Sequence, residues 1–181
     1  NKGMDFAKGE YIVFLNAGDL FYDSSTLENV AKYLKEAGLP KMGFGDSIEF
    51  NANDQFYKKA RSAEHLKFGM FAQHQAIFFA RRACTRLRYR LEYRLSADYE
   101  FIGRFLLSTP SKEVLYLQFP TCRFLLGGIS SKRRIHALKE EFLIRRDTMK
   151  KSLCFCVSLY FLHLAHFFFK VTFPLIYKKF R

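Results

Sequence analysis

Apolar positions along the chain fall into blocks whose spacing changes from one block to the next. Residues 1–8 read as the closing turns of a helix, with Gly9 as its stop. Residues 10–15 then form a run too uniformly apolar for a strand with one wet face, which predicts a central parallel strand covered on both sides. A polar loop, "NAGD" at 16–19, interrupts it. Asp23, Ser24, Ser25 and Thr26 offer helix N-caps, and Leu27, Val30, Ala31 and Leu34 follow at helical spacing toward a stop near 38–40. The stretch "KMGFGDSIEF" (41–50) reads as a second strand carrying Asp46. Residues 51–71 are mixed and polar, a long connection rather than an element. "HQAIFFARR" (74–82) predicts a further strand, and 83–95 is basic and poorly patterned. "SADYEFIGRFLL" (96–107) predicts a helix with Ser96 or Asp98 near its start. "EVLYLQFPTCRFLL" (113–126) is strand-like but broken at Pro120, Gly127-Gly128 turns the chain, and 130–151 predicts a highly charged helix. This alternation of strands and helices places the chain in the α/β class.

The last stretch, "KKSLCFCVSLYFLHLAHFFFKVTFPLIYKKFR", holds seven of the 22 phenylalanines. Residues 153–169 are at the short limit for a membrane span. At helical spacing, Lys151, Ser152, Ser158, His163, His166 and Lys170 fall within an arc of roughly 140°, although Phe155, Leu159, Leu162 and Phe169 intrude on it. Lysines flank both ends. The segment reads as an amphipathic aromatic helix lying in a membrane interface; a true span and an ordinary packed helix are the alternatives. The predicted division is therefore a domain over 1–150 and a membrane-associating helical tail over 151–181.

Composition sharpens this. With 181 residues, 49% of them hydrophobic, the chain can bury one ordinary core and carry an appendage. The formal net charge of +13 is uneven: residues 1–57 carry five basic against nine acidic side chains, about −4, leaving about +17 for the rest. An acidic first third suits cation binding, and a basic remainder suits an anionic partner. Cys84, Cys122, Cys154 and Cys156 lack metal-ligand spacing, so a reducing compartment is the default. No secretory signal opens the chain. The basic groups match no nucleic-acid module and lack an interleaved aromatic platform, so nucleic acid is not the expected partner.

Four places could carry chemistry. Asp19 ends the acidic loop after the first strand, where a carboxylate beyond a strand's carboxyl end can hold a divalent cation with phosphate oxygens and water. Asn16 could assist through a water. The same four residues are also a plain turn sequence, which needs no ligand. Asp98 at a helix start is either a cap or a general base taking a proton from a hydroxyl. Glu100, two positions on, faces away from it on a helix. His74 and Gln75 open the third strand, where a histidine is ordinarily a hydrogen-bonded structural residue. Asp46 sits in a glycine-containing strand and could serve a turn.

Taken in order, "NKG…AKGEYIVFLNAGD", "GFGDSIEF", "HQAIFF", "SADYEF" and "GGIS" resemble family 2 glycosyltransferases, most closely the bacterial members that build surface polysaccharides, including the colanic-acid type. The resemblance covers roughly residues 1–147. It implies an incomplete GT-A fold, a Rossmann-like mixed sheet flanked by helices, and a hexosyltransferase-like activity with a nucleotide-diphosphate-sugar donor. It also implies an acceptor that is a growing glycan, lipid-linked or of lipopolysaccharide type. Asp98 matches the family's catalytic base in a single inverting displacement. Asn16, Asp19, His74 and Gln75 would lie at the donor, with Asp19 at a Mn2+ or Mg2+ ion. The family's usual D-x-D-D loop is thinned here: Asn16 and Gly18 stand where two acids are expected. Family members also begin with strand–helix units upstream of "NKG", so the resemblance predicts an N-terminally incomplete chain that is inactive alone. The expected location is the cytoplasmic face of the bacterial inner membrane, at its anionic surface. The rival expectation is a non-catalytic membrane-binding module that retains the fold.

Overall fold

The computed structural model describes residues 1–127 and 133–173. The "GGIS" stretch beyond Gly127, the first residues of the charged helix and the tail beyond Phe173 lie outside the described residues. The elements are α1 (Lys2–Phe6), β1 (Tyr11–Ile12), β2 (Leu20–Phe21), α2 (Thr26–Glu36), β3 (Met42–Phe50), β4 (Gln55–Lys58), β5 (Ile77–Ala80), α3 (Ala97–Leu107), β6 (Val114–Leu125), α4 (Arg134–Leu143) and α5 (Leu153–Thr172). One six-stranded mixed sheet runs β1-β5-β3-β6-β2, with β4 pairing the far half of β3. The central β3–β6 pair is parallel, and every other pairing is antiparallel. The α/β class is as expected.

Alternation along the strands divides the core. Met42, Phe44, Ile77 and Phe79 face a large cluster completed by Tyr99, Phe101, Ile102 and Phe105 of α3. Phe78 and Leu117 face the other way, onto Val30 and Leu34 of α2. Gly43 lets α2 come this close, because a Cβ there would meet Leu34 Cδ2 at 2.7 Å. Asp23 starts α2: its Oδ1 accepts from Ser25 N and Oγ at 3.0 Å and from Thr26 Oγ1 at 2.9 Å.

Four details differ from the sequence pattern. The apolar run that follows Gly9 and Glu10 is not a central parallel strand; β1 is two residues long, antiparallel to β5, and the last strand on its side of the sheet among the described residues. Its apolar character is explained by packing on both faces, with Phe14 in the large cluster and Tyr11 and Val13 against the α2 side. The polar connection contains β4, which pairs with Ser47–Phe50 despite being exposed throughout. Residues 74–76 form a 3-10 turn, so His74 and Gln75 precede the strand rather than open it. Pro120 does not break β6. The strand absorbs it with register shifts opposite Asp46 and a left-handed Gln118 (φ 60°), then pairs onward to Leu125.

Asp46 is a fastener rather than a turn residue. It is buried, and its carboxylate accepts from Tyr57 Oη, Tyr116 Oη (2.7 Å) and Ala60 N (2.7 Å), tying β4 and β6 to β3. The hydrogen bond to Asp46 pushes the Tyr57 phenol up to about 12. All four cysteines are free thiols.

Candidate active site

The loop after β1 is the tight turn that its sequence suggests. Asp19 N donates to Asn16 O at 3.1 Å, and Gly18 takes the positive φ (93°) that such a turn requires at its third position. The turn delivers Asp19 into a buried position between two elements. Its Oδ1 accepts from Leu125 N at 2.9 Å, at the end of β6, and its Oδ2 accepts from Gln75 Nε2. Gln75 is fully buried, and its Oε1 has no hydrogen-bond partner among the described residues. Turning the amide over would set two acceptors, Gln75 Oε1 and Asp19 Oδ2, against each other, so the orientation is forced.

The 3-10 turn at 74–76 sends Gln75 toward Asp19 and His74 toward the helix start of α3. There His74 Nδ1 lies 3.3 Å from Asp98 Oδ2, and His74 Nε2 lies 3.2 Å from Asn16 Nδ2. One tautomer satisfies both contacts. A proton on Nδ1 facing the carboxylate leaves Nε2 to accept from the Asn16 amide. Tyr89 neighbours Asp98 and stacks on Phe101 at 4.5 Å. Burial and the neighbouring Asp98 carboxylate push its phenol well above the ordinary value, so it stays protonated. Asp98 keeps 38% of its side chain accessible, whereas Glu100 is fully buried and paired with Arg104.

These groups meet in a cavity of about 610 Å³. Asn16, Asp19, His74 and Asp98 all line it, together with the end of β6 and the first turns of α4. Gln75 does not line it and reaches it only through Asp19. The sequence pattern missed the α4 wall. Arg134 and Glu141 lie in a charged helix that reads as a solvated face, yet both border the cavity, 2.6 Å apart. Glu141 also holds the fully buried Arg145 at 3.0 Å and sits 3.7 Å from His163 of α5. Burial raises its pKa, but the neighbouring His163 and the charges of Arg134 and Arg145 outweigh that and hold it at about 2.

Among the described residues no group of three or more His, Cys, Asp or Glu side chains is arranged to hold a metal. A site closed by protein ligands does not fit. Asp19 does fit a cation bound chiefly by phosphate oxygens and water, because each of its oxygens carries one hydrogen bond and keeps a lone pair.

No family model matches this sequence. A PGL/p-HBAD biosynthesis glycosyltransferase of Mycobacterium bovis (strain BCG / Pasteur 1173P2) is 31% identical over 147 residues, covering 80% of this chain and 55% of its own length. One of Mycobacterium tuberculosis (strain ATCC 25177 / H37Ra) gives the same figures. The chain thus spans about half the length of the curated relatives it matches. Among solved structures, S. aureus TarS 1-349 superposes with a TM-score of 0.58 at 10% identity, covering 88% of this chain and 47% of that one. That likeness establishes a shared fold.

Proposed function

We propose that this chain carries the sugar-transfer site of a glycosyltransferase that uses a nucleotide-diphosphate-sugar donor and a glycan acceptor. The observation that carries the reading is the meeting of Asp98 and Asp19, 79 positions apart in sequence, on one cavity of a chain whose relatives are named glycosyltransferases. Asp98 is the general base. It takes the proton of an acceptor hydroxyl as that oxygen forms a bond to the anomeric carbon from the side opposite the diphosphate. The carbon–phosphate oxygen bond breaks, the nucleoside diphosphate leaves, and the anomeric configuration inverts. His74 and Tyr89 orient the carboxylate. Asn16, Asp19 and the end of β6 face the donor, and Gln75 holds Asp19 in place. A divalent cation at Asp19, when bound, supplies positive charge for the departing diphosphate.

The acceptor is proposed to be lipid-linked or of lipopolysaccharide type, at the cytoplasmic face of a bacterial inner membrane. Support comes from α5, which is long and apolar enough to cross or line a membrane by length and composition. One face of α5 packs on the domain through Cys156, Leu159 and His163, while Phe161, Leu162, Phe168 and Val171 are exposed. His163, expected on the polar arc, faces protein because Glu141 offers it a partner.

The test is sugar transfer by the protein expressed from its complete gene. Asp98→Asn keeps the shape and removes the base, so turnover is expected to fall by about 10²–10⁴-fold with donor binding retained. Asp19→Asn is expected to lose both turnover and stability, because its amide sets a donor against Leu125 N or Gln75 Nε2. Full activity of Asp98→Asn would show that Asp98 is not the base, and no transfer by the wild-type protein would point to the non-catalytic module instead.

A further inference from the structure

We infer that Glu140 is a positioning residue for Asp98, acting through the backbone that leads into α3. The inference rests on the proposed role of Asp98. Glu140 lies on α4, and its carboxylate collects three consecutive backbone N–H groups from the loop before α3. Oε2 accepts from Leu95 N at 2.9 Å and Ser96 N at 2.8 Å, and Oε1 accepts from Arg94 N at 3.1 Å. These bonds are charge-assisted and share one rigid acceptor, so they fix the direction of the segment rather than merely touching it.

The same segment lacks its own cap. Ser96 is the residue before α3, but its hydroxyl makes no bond to the helix it precedes; it donates across to Ala137 O on α4 at 3.3 Å. The start of α3 is therefore aimed from outside, by two neighbouring turns of α4. Asp98 follows Ser96 by two residues, within the first turn. Its contact with His74 Nδ1, at 3.3 Å, leaves no slack for an entry that swings. A displacement of about 1 Å at a reacting group is enough to cost on the order of a hundredfold in rate.

Neighbouring acids on α4 thus do separate work. Glu140 faces the entry to α3, whereas Glu141 faces Arg134, Arg145 and α5. Glu141 borders the cavity and Glu140 does not. The effect of Glu140 therefore belongs to the geometry of Asp98, and to kcat rather than to donor binding.

The test uses the protein expressed from its complete gene, with two readouts. Hydrogen exchange reports the segment directly: Glu140→Ala is expected to speed exchange at the Leu95 and Ser96 amides by at least about tenfold, with β3 and β6 unchanged. Kinetics reports the consequence: kcat is expected to fall by roughly tenfold or more, with the donor KM within about twofold of wild type. Glu140→Gln keeps one carbonyl oxygen for Leu95 and Ser96 and opposes Arg94 N–H with an amide, so its kcat should lie between the two. Unchanged exchange at Leu95 and Ser96, or faster exchange with wild-type kcat, overturns the inference. If the wild-type protein transfers no sugar, the transferase reading fails separately, and if Asp98→Asn stays active, the role of Asp98 does. The exchange readout then still decides whether Glu140 orders the entry to α3.

Discussion

Asp98 and Glu100 sit two residues apart on α3 and have opposite fates. The helix turns Glu100 into the core, where Arg104 meets it with Nε at 2.7 Å and Nη2 at 2.8 Å, and it turns Asp98 to the cavity. Glu141, largely buried on α4, is an acid with a different task, and it makes a pH prediction. Its folded pKa of about 2 lies below the ordinary value of 4.5, so its ion pairs contribute stability that is complete above about pH 4.5. That contribution disappears as pH falls toward 2, and its size is on the order of 3 kcal/mol. Glu141→Gln should therefore lower the melting temperature near neutrality and flatten the loss of stability between pH 4.5 and 2, measured by thermal melts across that range. A variant with the same acid profile as wild type would show that the Arg134–Glu141–Arg145 cluster contributes nothing net.

At the scale of elements, the central β3–β6 pair carries the fold and its main irregularity. The register shifts beside Asp46, and Gly45 at that point has no room for a side chain: a Cβ would lie 2.7 Å from Phe119 O and 2.5 Å from Thr121 Cγ2. The obstacle includes backbone, so it cannot rotate away. Gly45→Ala is expected to destabilise by about 1–3 kcal/mol, read by denaturant unfolding. An unaltered midpoint would mean that β6 yields at its bulge. The helices α2 and α3 were legible, α2 because it buries one stripe of apolar residues against the sheet and α3 as a mostly buried apolar run behind first-turn acids. β4 was not. Its exposed positions show no period, and it is held by the backbone pairing with β3, by Tyr57 on Asp46 and by Lys58 on Glu49.

Over the whole molecule, charge and apolar surface are segregated. The first 57 residues are acidic overall and the rest strongly basic, and α5 adds a row of exposed aromatic and aliphatic side chains beside Lys170 and Lys151. Basic charge next to a buried apolar face is the combination that binds anionic bilayers. The protein is expected to co-sediment with vesicles containing phosphatidylglycerol and to bind neutral vesicles less. Phe161 and Phe168 lie seven residues apart, on one stripe, and are 61% and 52% exposed. Replacing both with serine should weaken vesicle binding by roughly tenfold or more while leaving the fold intact. Equal binding by the variant would exclude this face as the contact.

The order of the elements apart from β2 and β4, the two main helices, the long second strand and the polar loop ending in Asp19 follow from the sequence alone, because each is written in local spacing and turn chemistry. The candidate base was legible too, as an acid in the first turn of a helix, though only as one of two readings. What required the tertiary structure was everything set by partners distant in the chain. The sheet alone made β1 a short antiparallel strand, since an apolar run records that both faces are covered and not which strand lies beside it. The fold alone brought His74 to Asp98 and Gln75 to Asp19, and it turned two neighbouring glutamates of a charged helix inward, one to the cavity wall and one to the entry of α3. A charge on a helix looks the same in sequence whether it meets water or three backbone amides, and that difference is decided by what packs against it.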